Sequence, residues 1–169
     1  MNRTLAILAV MGFAGTIGVS AQMKHVDLKD AKGNNAGMVM ISPAKGGGVS
    51  IDVEVKGLTA GEHAIHFHAV PKCEAPFKSA GAHFNPANKK HGQQNPEGPH
   101  AGDMPNFTVA ANGTARTTVT NKNVTMSDGA NSIYANGGTA IIIHAAADDM
   151  KTDPAGNAGE PIVCGTITK

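Results

Sequence analysis

An all-β fold is the class that this sequence predicts, and three observations support it. Glycine and proline account for 21 and 9 of the 169 residues, and a chain so rich in both needs many turns. Aromatic residues make up only 4% and tryptophan is absent, which disfavours a helical bundle. Apolar residues recur with a period of two, and no stretch sustains a helical period. The length suits a single domain.

The alternation places the predicted strands along the chain. Residues 49–55 alternate apolar and polar side chains, which indicates a strand with one buried face, and residues 63–68 continue the pattern. Residues 107–120 predict a hairpin, because the turn signal Asn112-Gly113 separates two alternating runs. Two further strands, rich in β-branched residues, are predicted at residues 140–143 and 162–168.

The N-terminus carries a different pattern, typical of a secretory signal peptide. Residues 1–21 contain one positive residue, Arg3, then an apolar stretch, then small residues at positions 19–21. A membrane anchor is the alternative, but glycines shorten the apolar run below the roughly 20 residues that a span needs. We therefore expect a mature domain of residues 22–169, exported to the periplasm or the extracellular space and free of the membrane.

Charge and cysteine content limit the partners and the compartment. The chain has 14 Lys and Arg against 13 Asp and Glu, a net charge of +1, and it lacks the basic excess of a nucleic-acid-binding protein. We expect no nucleic-acid partner. In an exported chain, Cys73 and Cys164 most simply form a disulfide, because that compartment is oxidising. Two unrelated buried thiols are the alternative.

The histidines are the compositional anomaly, since six of the eight lie between residues 61 and 102. His66 and His68 are two apart on a predicted strand, so both imidazoles project from one face. The long polar segment 70–106, a predicted loop, and the end of the strand 140–143 add further donors: His83, His91, His100, Asp103 and His144. Imidazole suits zinc and copper, and seven donors are too many for one four-coordinate ion. The pattern predicts two metal ions.

Two histidines stand outside this donor set. His63 has the same strand parity as Ile65, so we expect it to point inward as a buried, hydrogen-bonded side chain. His25 lies far from the others in the sequence and has no assigned role. Each donor taken alone is also compatible with a solvated loop or a strand cap. It is the clustering of the donors that indicates a metal site.

The ordered motifs resemble the copper/zinc superoxide dismutase family over most of the mature domain. The first signature is carried by GEHAIHFH at residues 61–68, AGAHFNP at 80–86, HG at 91–92 and PHAGD at 99–103. The second is carried by His144, the Asp-Asp pair at 148–149, GNAG at 156–159 and Cys164-Gly165. The resemblance implies an eight-stranded Greek-key barrel, an immunoglobulin-like sandwich with long metal-binding and electrostatic loops, and the dismutation of superoxide to O₂ and H₂O₂.

Carried over residue by residue, the resemblance implies a copper site and a zinc site that share His83 as a bridging imidazolate. Copper would be held by four catalytic ligands, His66, His68, His83 and His144; zinc would be held by His83, His91, His100 and Asp103. Asp148 matches the carboxylate that hydrogen-bonds one ligand of each metal. Cys73 and Cys164 match the family's disulfide. The substrate would be superoxide, a small anion, and the subunit a monomer or a homodimer.

One departure from the family pattern bears on activity. Two residues after the last glycine of GNAG, where the family usually carries an arginine, this chain has Pro161, and the preceding Glu160 adds a negative charge. Lys151, ten residues before Pro161, is either a substitute cation or a solvated loop charge. We expect an exported dismutase that is slower than its relatives. The alternatives are a copper-binding or copper-buffering protein on the same scaffold and, less compatible with the donor set, a structural or adhesion sandwich.

Overall fold

A computed structural model describes residues 23–169 as a β-fold with two long loops, so the predicted signal peptide at 1–21 lies outside the described residues. The strands are β1 (Lys24–Asp30), β2 (Asn35–Pro43), β3 (Val49–Lys56), β4 (Gly61–His63), β5 (Ile65–His68), β6 (Phe107–Val109), β7 (Thr114–Asn121), β8 (Thr139–His144) and β9 (Pro161–Ile167). Helical structure within residues 23–169 is confined to single 3₁₀ turns at Lys78–Ala80 and Ala135–Gly137. Neither turn has the length of a membrane-spanning helix.

Seven strands form one antiparallel sheet in the order β5-β8-β9-β1-β2-β3-β7, and β4 pairs with β6 in a small second sheet. Ala64 alone separates β4 from β5, and β6 packs beside β7. The small sheet therefore joins the two edges of the large one, and the curled sheet encloses a single main core. Alternate residues of its strands fill that core, among them Val39, Ile51, Phe67, Ile141 and Val163.

The all-β prediction is confirmed, with two differences in detail. The predicted strand 63–68 is interrupted at Ala64, which gives nine strand segments within residues 23–169 instead of eight. Ala64 hydrogen-bonds Ala146 and His144 through its main chain, so the chain changes partner sheet at this point. The predicted hairpin keeps its turn, closed by the Ala110 N–H and the Thr114 carbonyl at 2.9 Å, but its strands diverge. β6 pairs with β4, and β7 pairs with β3.

Two long loops cover the end of the sheet near β5 and β8. We name residues 69–106 the first loop and residues 145–160 the second loop. The first loop bonds to β5 through Phe67, whose N–H donates to Gly102 and whose carbonyl accepts from Phe84. The Cys73–Cys164 disulfide ties the same loop to β9. Because the loops cover the face of β5 that points away from the core, all four residues of this strand are buried.

Candidate metal centre

Two adjacent strands supply the first three donors of the site. His66 and His68 lie on β5 and share a face, while Ile65 and Phe67 enter the core. His144 ends β8, the strand that pairs with β5, and the β8–β9 ladder shifts register between Ile143 and His144. Such an irregularity re-aims a side chain, and here it accompanies the placement of His144 beside the β5 histidines.

The first loop lays its donors over β5. His83 lies opposite His68 and Asp103 lies opposite His66 in isolated antiparallel bridges. The loop approaches so closely that a Cβ atom at Gly102 would overlap the Phe67 carbonyl oxygen. Glycine is therefore required where the backbone of the loop meets the strand.

One donor group consists of four histidines whose ligand atoms all lie within 4.8 Å of one another: His66, His68, His83 and His144. Among the described residues, the buried side-chain nitrogen and oxygen atoms without a hydrogen-bond partner are one nitrogen from each of these rings: His66 Nδ1, His68 Nε2, His83 Nε2 and His144 Nε2. A buried polar atom left unpaired is costly. Four such atoms in one place fit a shared metal ion.

The opposite nitrogens of these rings are all engaged, which fixes how each ring is oriented. His68 Nδ1 donates to the Gly81 carbonyl at 2.7 Å, and His144 Nδ1 donates to the Gly159 carbonyl at 3.1 Å. Burial lowers the pKa of His66 to about 3 and that of His144 to about 4. The rings are therefore neutral near pH 7, the state in which imidazole binds copper or zinc.

The second donor group surrounds a buried carboxylate. Its members, also within 4.8 Å of one another, are His83, His91, His100 and Asp103. Asp103 Oδ1 lies 2.9 Å from His83 Nδ1, 3.1 Å from His91 Nδ1 and 3.3 Å from His100 Nδ1. Three imidazoles and one carboxylate are a donor set typical of tetrahedral zinc. His83 belongs to both groups, with Nε2 facing the first and Nδ1 facing the second.

Asp148 connects the two groups by hydrogen bonds to one histidine of each. Its Oδ2 accepts from His66 Nε2 at 2.9 Å, and its Oδ1 accepts from His91 Nε2 at 3.0 Å. Burial acts to lower the pKa of His91, but hydrogen bonds to Asp103 and Asp148 outweigh it and raise the pKa to about 9. A metal ion bound at His91 Nδ1 would therefore displace a proton at neutral pH.

Two residues that support Asp148 were not anticipated from the sequence. Asn106 holds the main chain of Asp148 on both sides, with hydrogen bonds of 2.9 Å to its carbonyl oxygen and its N–H. Gly156, at φ +63°, lies so close that a Cβ atom would overlap Asp148 Oδ1. The GNAG motif marks Gly156 in the sequence, whereas a single asparagine such as Asn106 belongs to no motif that would mark it.

The remaining residues singled out in the sequence lie around this centre. His63 is buried, with ring nitrogens 2.7 Å from the His144 carbonyl oxygen and 2.9 Å from the Thr59 carbonyl oxygen, as its strand parity predicts. His25 lies on β1, away from the donors, 3.9 Å from Asp27. Pro161 is directly opposite His144 in the β8–β9 ladder. Glu160 and Lys151 are exposed in the second loop.

Comparison with known proteins gives a consistent set of relatives. The model of the family described as copper/zinc superoxide dismutase matches residues 35–167. A curated protein of Aquifex aeolicus, superoxide dismutase [Cu-Zn] 1, is 47% identical over 146 residues, which cover 85% of this chain and 86% of that protein.

Solved structures with the same fold include a SOD-like protein and a Cu/Zn superoxide dismutase. A SOD-like protein from Bacillus subtilis is 36% identical with a TM-score of 0.81, covering 84% of this chain and 96% of that one. The Cu/Zn superoxide dismutase from Brucella abortus is 28% identical with a TM-score of 0.70, covering 86% and 99%.

Proposed function

The chain belongs to the copper/zinc superoxide dismutase family, and we propose that it dismutates superoxide at a bridged copper and zinc centre, with reduced efficiency. The observation that carries the assignment is the set of four unpaired, buried imidazole nitrogens on β5, β8 and the first loop. Their chemistry suits copper, and the neighbouring carboxylate-centred group suits zinc.

The proposed ligands follow the two donor groups. Copper would be held by His66, His68, His83 and His144, and zinc would be held by His83, His91, His100 and Asp103. His83 would bind both metals, because its Nε2 faces the first group while its Nδ1 faces the second. Asp148 fixes the rings of His66 and His91 through their outer nitrogens, which sets the tautomer of one ligand of each metal.

When bound, copper supplies the redox couple that oxidises one superoxide to O₂ and reduces the next to H₂O₂ with the uptake of two protons. The residues of the chain orient the ligands and handle protons. His83 Nε2, which is buried and has no hydrogen-bond partner among the described residues, is the atom proposed to carry a proton. His68, His83 and His144 retain only 4–6% of their surface exposed, which suits a small substrate.

The reduced efficiency is inferred from residues 160 and 161. Pro161 stands opposite His144, one of the proposed copper ligands, and proline supplies neither a charge nor a hydrogen-bond donor for an anion. Glu160 is exposed beside it, and its charge acts on His144. A negative charge at this position repels superoxide. These two residues also favour the second candidate function, a copper-binding or copper-buffering protein with little turnover.

A superoxide assay on metal-loaded protein, with metal content measured in the same sample, separates the two functions. We expect one copper and one zinc per mature chain and a dismutation rate that scales with copper occupancy. Full loading without measurable dismutation would favour the copper-buffering function, and one metal per chain after loading with both would contradict the bridged centre.

Export of the mature domain to the periplasm or the extracellular space is part of the proposal. The signal-like sequence at residues 1–21 supports it. The disulfide between Cys73 and Cys164 also supports it, because such bonds persist in oxidising compartments.

A further inference from the structure

Asp153, in the second loop, reaches across to the first loop beside the proposed zinc ligands. Its Oδ1 accepts a hydrogen bond of 2.8 Å from the His91 main-chain N–H, and its Oδ2 lies 3.2 Å from Lys90 Nζ. The same Oδ1 is 4.0 Å from His100 Nε2. One carboxylate therefore touches the backbone of one proposed zinc ligand and faces the outer ring nitrogen of another.

The orientation of His100 gives this carboxylate a defined place in the site. His100 Nδ1 lies 3.3 Å from Asp103 Oδ1 and so faces the donor group, which leaves Nε2 on the outer side, toward Asp153. His91 is arranged in the same way, with Nδ1 toward Asp103 and Nε2 toward Asp148. The outer nitrogens of His91 and His100 thus each face a carboxylate of the second loop.

We propose that Asp153 is a positioning residue for the zinc site, which holds the His91 main chain by a hydrogen bond and attracts the His100 ring by its charge, so that the first loop presents its donors to the metal. The inference rests on the proposed zinc assignment. A carboxylate that accepts a hydrogen bond from the outer N–H of a ligand imidazole fixes the ring and raises its basicity as a ligand, whereas at 4.0 Å Asp153 acts on the His100 ring through its charge. When His100 Nδ1 binds a cation, its Nε2–H becomes more positive, and its attraction to Asp153 increases.

Other contacts hold the second loop in place without the Asp153 charge. The Gln94 N–H donates to the Met150 carbonyl at 3.0 Å, and Asn95 Nδ2 donates to the Lys151 carbonyl at 3.4 Å. Removing the charge at position 153 should therefore weaken zinc binding while the fold of the metal-free protein stays intact. This difference separates a positioning role from a purely structural one.

The test is Asp153→Asn, which keeps an oxygen for the His91 N–H and removes the charge. Zinc affinity is measured on the metal-free protein by competition with a chromophoric chelator. We expect a loss of about 10-fold, the lower end of the range for outer carboxylates of metal sites, because Asp153 is partly exposed. Asp149→Asn is the matched control, since Asp149 caps a turn of the same loop through Lys151 and Thr152; it should leave zinc affinity unchanged.

A second readout is the visible spectrum with Co²⁺ in place of zinc, which should change in Asp153→Asn and not in Asp149→Asn. Equal zinc affinity in Asp153→Asn and the parent protein would overturn the proposal. Equal losses of zinc and copper together with a lower Tm of the metal-free variant would also overturn it, because they indicate a structural role. His91→Ala tests the underlying assignment: if it binds zinc as the parent does, the zinc site itself is wrong and the role of Asp153 falls with it.

Discussion

At the scale of single residues, His83 is the side chain on which both proposed metals depend. Its two ring nitrogens belong to different donor groups, so His83→Ala should reduce the occupancy of copper and of zinc. His91 contributes to the proposed zinc group, so His91→Ala should chiefly lose zinc. Elemental analysis of both variants after loading and dialysis checks this expectation. If both variants lose the same metal to the same extent, the bridge is not present.

The second prediction for single residues concerns position 161 and its neighbour Glu160. Pro161→Arg places a cation opposite His144, so kcat/KM for superoxide should rise; Glu160→Ala should give a smaller rise, and the double variant the largest. The gain should shrink with added salt, because exposed charges are screened over about 8 Å at physiological ionic strength. Steady-state kinetics on variants with verified metal content measures the effect.

A cation placed elsewhere is the matched control for that experiment. Ala111 is exposed in the turn between β6 and β7, so Ala111→Arg changes net charge equally without a residue opposite His144. If a folded, fully loaded Pro161→Arg protein shows no gain at low ionic strength, either another cation, such as Lys151, already fills this role or the site is not catalytic.

The proposed ligands could be selected from the sequence, because imidazoles at strand parity and in one polar loop are conspicuous. Asp148 could be selected as well, through its place in the family motif, but Asn106 and Asp153 could not. Asn106 acts through main-chain bonds to Asp148, and Asp153 acts through the backbone of His91, so both roles depend on how two distant loops meet. The sequence does not show which asparagine or aspartate of one loop will contact the other loop.

Among the strands and loops, a strand can be predicted from the sequence where one of its faces is apolar and the other is polar. β3 was predicted because its buried and polar residues alternate fully. β2 was not, because its outward residues Met38 and Met40 are as apolar as its inward Val39 and Ile41. β1 offers only Val26 and Leu28 on its buried face. The divergence of β6 from β7 reflects pairing with β4 and β3, which a local turn signal does not encode.

The disulfide between the first loop and β9 is expected to stabilise the folded chain. It joins the first loop to β9 across a sequence separation of 91 residues, for which loop-closure entropy corresponds to about 4 to 5 kcal/mol of stabilisation. The unreduced mature chain should weigh about two hydrogens less than the reduced chain, and reduction should lower Tm by several degrees or more. Mass spectrometry and thermal unfolding check this. The variant with both Cys73→Ser and Cys164→Ser should be insensitive to reductant, and two free thiols in the native chain would contradict the prediction.

At the scale of the whole molecule, the buried histidines make the stability of the metal-free protein depend on pH. The pKa values of His66 and His144 are lowered from 6.5 to about 3 and 4 by burial, so the unfolded chain binds more protons between those values and 6.5. Their contribution to stability is complete above pH 6.5 and is lost as the pH falls toward 4. His91, with its pKa raised to about 9, has the opposite sign and loses its contribution between pH 6.5 and 9.

The Tm of the metal-free protein should therefore fall on either side of a maximum near pH 6.5 to 7, and thermal unfolding with a chelator from pH 4 to pH 9 measures the profile. His25→Gln is the control, because this exposed ring lies outside the centre, and it should leave the acid side unchanged. A constant Tm between pH 7 and pH 5 would contradict the burial argument.

The two donor groups differ in how far apart their members lie along the chain, and from this difference we expect an order of assembly. His83, His91, His100 and Asp103 all belong to the first loop, whereas His66 and His144 meet only after β8 has docked on β5. Closing a short loop costs less entropy and takes less time than bringing distant strands together. We therefore expect the carboxylate-centred group to gather its donors while the chain is still folding, and the four-histidine group to be completed last, when the sheet closes.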